Sequence, residues 1–226
     1  MDQLDNIMWH SLSGPHQHLA EGNEGARRFP PDVGPFCAVP DEPLPEHFDA
    51  LRTLVGPGEA ALLFRGDVTV PEHWEVLGTI EGVQMVWPAG SPPDGIDEEI
   101  VTLDSDDVEE MMSLTQRTKP GPFATRTVEL GTYVGIRRHG HLVAMAGQRA
   151  KTASHIEISA VCTDGGFVGQ GMGRRLVEAQ IAIILAEGMT PMLHTSAVNA
   201  RAIALYEYLG FRHRRSVAGV IMRAPT

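Results

Sequence analysis

The sequence predicts an α/β fold of the α+β type, in which β-strands form a sheet that is flanked by helices. An apolar, β-branched run at residues 156–162 is followed by a loop, by glycines at positions 169, 171 and 173, and by a helical pattern up to residue 187. Upstream, residues 127–137 and 141–150 have strand-like composition and are joined at 138–140 by a tight, glycine-containing turn. A hairpin followed by a strand, a turn and a helix predicts a sheet with helices packed on it.

Composition and charge limit the partners that this chain can have. Its 226 residues are 42% hydrophobic, which is enough for a proper core, and carry a net charge of -11. Nucleic acids and anionic membrane surfaces attract a basic surface, so we expect neither as a partner. The charge is uneven, because residues 1–90 have a net charge of -10, whereas 14 basic and six acidic residues follow Glu110. A small polyanionic ligand would suit that last part.

Cysteine and histidine spacing argues against disulfide and metal sites. Cys37 and Cys162 are far apart and form no CxxC motif, which fits a reducing compartment. The ten histidines do not form an HExxH motif or a Cys/His cluster, so we expect no metal. Because no secretory segment or apolar run of about 18 residues is present, we expect a cytoplasmic protein.

The first 90 residues predict a smaller α/β domain that precedes a domain at residues 91–226. The best boundary is the stretch from Pro88 to Pro93, since Pro92 and Pro93 exclude regular structure. The alternative is an extension that only covers an edge of the main sheet. In the N-terminal part we expect helices near 7–12 and 43–54 and strands at 36–39, 60–64 and 74–87.

In the second part, apolar periodicity and cap residues predict the remaining elements. Asp104 to Asp107 cap a helix at 108–118, and Gly188 and Gly210 end two later helices. We expect strands at 100–103, 127–137, 141–150, 155–162 and 192–195, helices at 108–118, 171–187 and 199–209, and a final strand pair from 211 to about 222.

The glycine-rich turn is the strongest chemical signal. Glycines let the backbone approach a ligand closely, and a helix N-terminus offers unpaired N–H groups and a positive dipole end, so such a turn binds phosphate. A dinucleotide site would need a third glycine where Arg174 stands and an acid about 20 residues later, and neither occurs. A P-loop would need Gly-Lys-Ser/Thr, which is absent.

A second landmark lies farther along the chain, in Asn199, Leu205, Tyr206, Leu209, Gly210 and Phe211. With the glycine turn, this pattern resembles the GNAT superfamily of acetyl-CoA-dependent N-acetyltransferases over roughly residues 98–226. In that family the turn has the pattern Arg/Gln-Gly-x-Gly-x-Gly/Ala. In this chain Val168 occupies the first position of the pattern, and Gln170 lies two positions after it. The resemblance implies a mixed, mostly antiparallel sheet with flanking helices, and the N-terminal part resembles a degenerate partial unit of that fold.

The resemblance also implies that acetyl-CoA is the cosubstrate. The backbone of Val161 and Thr163 would pair with the pantetheine arm, the turn would hold the pyrophosphate, and Asn199 would contact the cofactor. Tyr206 would protonate the departing thiolate as general acid, although it could also be only a packed aromatic. The implied cofactor-binding residues are Val161, Cys162, Thr163, Val168, Gly169, Gln170, Gly171, Met172, Gly173, Arg174, Asn199 and Tyr206.

The attacking amine must also lose a proton. Glu157 shares a strand face with Ser159 and Val161, so it is our candidate base, with His155 as the second. Glu157 could equally be a salt-bridge partner or a solvated edge residue. The loop from Lys119 to Phe123 could be only a rigid connector, but the family shapes its acceptor pocket at this place, so Pro122 and Phe123 are the predicted substrate-binding residues.

The predicted function is the transfer of an acetyl group from acetyl-CoA to a primary amine by direct attack. The acceptor would be a small-molecule or peptide amine. A homodimer is a possible assembly, because many relatives dimerise. A non-catalytic module that senses acyl-CoA or a small ligand is the alternative, because Val168 departs from the family pattern and the base is uncertain.

Overall fold

The computed structural model describes residues 2–65, 69–88 and 97–226 of the chain. Within these ranges the strands form a single sheet. They are β1 (Glu21–Gly22), β2 (Arg27–Arg28), β3 (Phe36–Ala38), β4 (Ala60–Phe64), β5 (Glu75–Val86), β6 (Ile100–Leu103), β7 (Tyr133–Arg138), β8 (His141–Lys151), β9 (His155–Thr163), β10 (Thr190–Ser196) and β11 (Arg212–Arg223).

Five α-helices and several short 3-10 turns occur in the described ranges. The helices are α1 (Ile7–Ser13), α2 (Pro45–Val55), α3 (Val108–Thr118), α4 (Met172–Ala186) and α5 (Ala200–Tyr208). Gly188 takes a φ of +73° and ends α4 as predicted, and Asn199 accepts the Ala202 N–H at the start of α5, a cap that was not predicted. No helix in the described part of the chain is long and apolar enough to cross a bilayer.

The strand order across the sheet is β1-β2-β3-β4-β11-β5-β10-β9-β8-β7-β6. Only β3 with β4 and β9 with β10 pair in parallel among the described strands, so the predicted mixed, mostly antiparallel sheet is confirmed. The order also joins the two parts of the chain. β5 from the N-terminal part lies between β10 and β11, and β4 pairs with the other edge of β11.

Helices cover both faces of the sheet. On β10, Met192 packs with α1, whereas its neighbour Leu193 packs with α4 and α5. On β8, Met145 packs with α3, whereas Ala144 and Ala146 pack with α4. Because successive strand residues point to opposite faces, α1 and α3 cover one face and α4 and α5 cover the other.

Two element predictions were wrong. Residues 127–130 form a 3-10 turn instead of the start of a strand, because the Thr127 hydroxyl accepts the Ala124 N–H and donates to the Val33 carbonyl. The C-terminal segment is one bulged strand, β11, instead of a strand pair. The proposed boundary at 88–93 lies mostly outside the described residues, so the division at residue 90 stays a prediction.

Candidate active site

The site begins where two parallel strands separate. β9 and β10 pair from His155 with Thr190 up to Ile158 with Leu193, and no further. On its other edge β9 has a bulge opposite β8, where Ala160 takes a left-handed φ of +53°. The segment from Ser159 to Thr163 therefore has backbone N–H and C=O groups that are not used by β10, as the resemblance implies for a strand that receives an amide-containing arm.

The glycine turn follows this strand and leads into α4. Gly169 and Gly171 have φ values of +90° and +77°, and Gly171 is the N-cap of the helix. These two positions need glycine for conformational reasons. Gly173 differs, because its φ is not positive and an added Cβ would come no closer than 3.9 Å to Thr163.

A cavity of about 480 Å³ lies between this turn and α5, and we call it the glycine-loop groove. It is lined by Val161, Cys162, Thr163, Phe167, Val168, Gly169, Gly171, Met172, Gly173, Arg174, Asn199, Arg201, Ala202, Leu205 and Tyr206. Its charged lining residues are two arginines, Arg174 and Arg201, with no acid among the described ones. Together with the start of a 15-residue helix, this makes the groove suitable for a polyanion.

Most of the predicted cofactor residues line this groove. Val168 is 46% exposed there, so its apolar side chain stands where the family pattern has a basic or amide side chain. Gln170 is exposed and does not line the groove. Met172 is buried and packs mainly into the core beside Leu176. Arg201 was missed by the sequence reasoning, although it follows Asn199 by two places.

Two polar residues, the N-cap Asn199 and Tyr206 of α5, face both this groove and a second cavity. The Oδ1 of Asn199 accepts the helix-cap hydrogen bond, so its amide nitrogen can donate hydrogen bonds to a ligand. Tyr206 is 7% exposed and packs edge-on against Phe211 at 6.0 Å, while its hydroxyl has no hydrogen-bond partner among the described residues. Burial raises the pKa of Tyr206 to about 12, so the phenol stays protonated at neutral pH.

The second cavity, of about 470 Å³, lies where β9 and β10 separate, and we call it the sheet cleft. It adjoins the groove, because both are lined by Val161, Cys162, Thr163, Asn199, Ala202 and Tyr206. Its other lining residues are Phe36, Leu62, Phe64, Ile80, Glu81, Gly82, Thr118, Lys119, Pro120, Gly121, Pro122, Arg149, Ile158, Ser159, Ala160, His194, Thr195 and Ser196.

The N-terminal part of the chain builds one wall of the sheet cleft. Phe36 on β3, Leu62 and Phe64 on β4 and Ile80 on β5 supply its apolar surface. None of these residues was a predicted site residue. No local motif marks them, because they reach the cleft only through the pairing of β3, β4 and β5 with other strands of the sheet.

The candidate base Glu157 is completely buried and does not line the cleft. Its carboxylate accepts hydrogen bonds from Arg149 Nε at 2.9 Å and from Arg149 Nη2, and it lies 2.6 Å from His194 Nδ1. Burial acts to raise its pKa, but the charges and hydrogen bonds of Arg149 and His194 together outweigh this and lower the pKa to about 2. This geometry favours a positioning role over the predicted proton-accepting one.

His194 belongs to the same network and was not predicted. Gln84 Nε2 donates to the Leu4 carbonyl at 2.9 Å, and Gln84 Oε1 accepts from Arg214 at 2.7 Å, which fixes the orientation of that amide. Gln84 Nε2 also lies 2.9 Å from His194 Nε2, so this ring nitrogen accepts and Nδ1–H donates to Glu157. Both nitrogens of His194 are therefore engaged.

The remaining predicted residues are only partly brought together. His155 lies at the start of β9, where Ser154 Oγ is 2.9 Å from its Nδ1, and it lines neither cavity. Pro122, a predicted substrate-binding residue, lines the sheet cleft. Phe123 instead packs edge-on against Tyr133 at 5.8 Å. The one carboxylate among the described lining residues is Glu81, an exposed residue that was not predicted.

A splayed parallel strand pair that leads into a glycine turn at a helix start is the arrangement that the resemblance implied. A GNAT-family protein from Novosphingobium aromaticivorans, named as an acetyltransferase, is 36% identical over 100% of both chains, with a TM-score of 0.91. The model of the FR47-like protein family matches residues 133–218. The chain belongs to the GNAT family.

More distant structures share the fold over nearly the whole length. A GCN5-related N-acetyltransferase from Kribbella flavida is 14% identical, covers 99% of this chain and 95% of its own, and has a TM-score of 0.62. A GCN5-related N-acetyltransferase-like protein from Streptococcus suis is 15% identical. The match covers 98% of this chain and 94% of that protein, with a TM-score of 0.54. No functionally curated protein matches the chain in sequence.

Proposed function

We propose that this protein transfers an acetyl group from acetyl-CoA to a primary amine in the cytoplasm. The observation that carries the proposal is that the two cavities share the wall formed by residues 161–163 and by Asn199 and Tyr206. A donor in the glycine-loop groove and an acceptor in the sheet cleft would meet at this wall. Proximity of that kind is the main requirement for direct transfer.

The groove is suited to the phosphates and the arm of acetyl-CoA. N–H groups around Gly169 and Gly171 and the positive end of α4 would hold the pyrophosphate. Arg174 and Arg201 add positive charge; Arg201 has no ion-pair partner in the described residues, and Arg174 has only a loose contact with Glu178 at 3.9 Å. The backbone groups of 159–163 that β10 leaves unused would bind the amides of the arm.

In the transfer step, the amine attacks the thioester carbonyl, so that a C–N bond forms and the C–S bond breaks. Backbone N–H groups in the bulged segment at 159–163 would stabilise the negative charge on the carbonyl oxygen. Tyr206 would donate its proton to the departing sulfur, because its hydroxyl is protonated and has no competing partner within the described part of the chain.

The proton lost by the amine needs an acceptor that faces the cleft. Glu157 is buried and bound by Arg149 and His194, so we assign it to positioning these two side chains. Glu81 lines the cleft, is exposed, and forms no ion pair with a described residue. We therefore assign to Glu81 the role of taking the proton, directly or through water.

The test combines calorimetric titration of acetyl-CoA with a thiol-release assay over a panel of primary amines. The proposal predicts micromolar binding and amine-dependent release of free CoA. Failure to bind acetyl-CoA would contradict it.

The second candidate, a non-catalytic acyl-CoA sensor, is favoured by Val168 and by the burial of Glu157. It predicts binding without thiol release with any amine in the panel, so the same two measurements separate the candidates.

A further inference from the structure

Arg149 is a nearly buried cation that lines the sheet cleft between two aromatic rings and a carboxylate. Its guanidinium carbon lies 4.9 Å from the ring centroid of Phe36 and 5.7 Å from that of Phe64, and its side chain is 15% exposed. Glu157 binds it from the β9 side. Aromatic rings favour a guanidinium that lies over them, so these contacts fix its position within the cleft.

Glu157 uses only one edge of this guanidinium. Its carboxylate accepts from Nε and Nη2, whereas Nη1 has no hydrogen-bond partner among the described residues. Because Arg149 lines the cleft, the edge formed by Nη1 and Nη2 is left for a ligand.

Four other arginines show that a guanidinium of this chain can bind a second carboxylate. Arg137 bridges Asp107 and Glu110, Arg175 bridges Asp97 and Glu99, Arg126 bridges Asp32 and Glu129, and Arg214 bridges Asp2 and Asp5. Each of these arginines binds two carboxylates. Arg149 has one carboxylate, and its second position is in the sheet cleft.

We propose that Arg149 binds a carboxylate of the acceptor, so that the acceptor is a small amine that also carries a carboxylate. The inference rests on the proposed function and narrows its substrate class. Phe36, Leu62, Phe64 and Ile80 would accommodate an apolar part of the same molecule. Acceptors of the amino-acid type satisfy all three requirements of amine, carboxylate and apolar body.

The charges of the cleft disfavour a purely cationic acceptor. Lys119 and Arg149 line it together with one carboxylate, Glu81. Glu157 balances the charge of Arg149, but a polyamine would still bring a second cation to the free edge of the guanidinium, whereas an amino acid could place its amine towards Glu81 and its carboxylate on that edge.

Glu157 then acts as a positioning residue. It holds the guanidinium in one orientation, and His194 fixes the carboxylate in turn at 2.6 Å. A guanidinium held in this way loses little further freedom when the acceptor binds.

The test compares hydrophobic amino acids with their carboxamides as acceptors, in wild type and in Arg149→Lys. Lysine keeps a positive charge for Glu157 but lacks the second edge, so it is the matched variant. Because a carboxamide also lowers the pKa of its amine, kcat/KM is expressed per neutral amine across a pH series. We expect the carboxylates to be better by about tenfold or more in wild type, mainly through KM, and within about twofold of the amides in the variant.

The double variant with Arg149→Gln and Glu157→Gln provides a second comparison without an unpaired buried charge, and it should lose the preference as well. Equal kcat/KM for acids and amides in wild type, or a preference that survives in both variants, would overturn the inference.

Binding of the same acceptors by calorimetry separates this inference from the proposed function. Carboxylate-selective binding without thiol release would support the role of Arg149 and contradict the transfer reaction. Thiol release without carboxylate preference would support the transfer and contradict the role of Arg149.

Discussion

The glycine-loop groove and the sheet cleft differ in how the chain builds them. The groove comes from one stretch, residues 161–174, and one helix, α5, and backbone groups supply much of its predicted binding. The sheet cleft shares α5 and takes the rest of its lining from β3, β4, β5, β8, β9, β10 and the loop after α3. A site made of local backbone groups can bind the same ligand throughout a family. Side chains that come from distant parts of the sequence can change between members without disturbing that backbone site.

The first prediction concerns the shared sheet and has the largest effect. Residues 91–226 expressed alone should not fold, because they lack β5, which lies between β10 and β11, and the buried residues Met85 and Trp87. Thermal unfolding followed by circular dichroism should show no cooperative transition, in contrast to the full chain.

A cooperative transition for residues 91–226 would instead show an independent domain, as the division at residue 90 predicts.

The second prediction separates the two acids of the cleft region. Glu157→Gln should lower the free energy of unfolding by about 3–5 kcal/mol, because it leaves buried Arg149 without its counter-charge. Glu81→Gln should change stability by less than about 0.5 kcal/mol. It should lower kcat about 10²-fold through loss of the proton acceptor. Urea unfolding and thiol release measure the two effects.

The assignment of roles fails if Glu81→Gln keeps full activity while a folded Glu157→Gln protein, with acetyl-CoA affinity unchanged, loses it.

The pH dependence of stability adds a check on Glu157. Its folded pKa is lowered to about 2 from an ordinary value near 4.5, so its contribution is present above pH 4.5 and is lost as the pH falls towards 2. Urea titrations at several pH values should show a steeper acid loss in wild type than in Glu157→Gln. Parallel curves would mean that the Glu157 pKa is not lowered on folding.

The smallest predicted effect concerns the glycine turn. Gly171→Ala should weaken acetyl-CoA binding about fivefold, since alanine at a φ of +77° costs about 1 kcal/mol. Gly173→Ala is the matched control, because that position has no positive φ and has room for a Cβ. Calorimetry should find the control within about twofold of wild type.

Equal losses at positions 171 and 173 would argue against a conformational role for Gly171.

Local signals predicted much of the fold. Residues 60–64, 100–103 and 108–118 have the predicted elements because their apolar patterns, caps and breakers all agree locally. Residues 127–130 were misassigned because Val128 and Leu130 look strand-forming, while a side chain contact from Thr127 to distant Val33 decides the turn. The composition of residues 212–223 contains no signal that separates one bulged strand from two.

In the candidate site, too, the residues with local signals could be predicted and those placed by long-range contacts could not. The glycine turn, Asn199 and Tyr206 could be found because their chemistry is local or matches a family pattern. Glu157 stands between Ile156 and Ile158, and a buried acid needs a partner, but sequence could not name Arg149 or His194 as that partner. Phe36, Phe64 and Glu81 enter the sheet cleft only through strand pairing across the sheet.

The proposed reaction requires both cavities to serve one transfer at the wall they share, where Tyr206 acts. Tyr206→Phe tests this, with kcat from thiol release and the acetyl-CoA Kd from calorimetry. We expect a fall in kcat of about 10²-fold or more with a Kd within about twofold of wild type, because phenylalanine keeps the packing on Phe211 and removes only the proton donor. An unchanged kcat would contradict it.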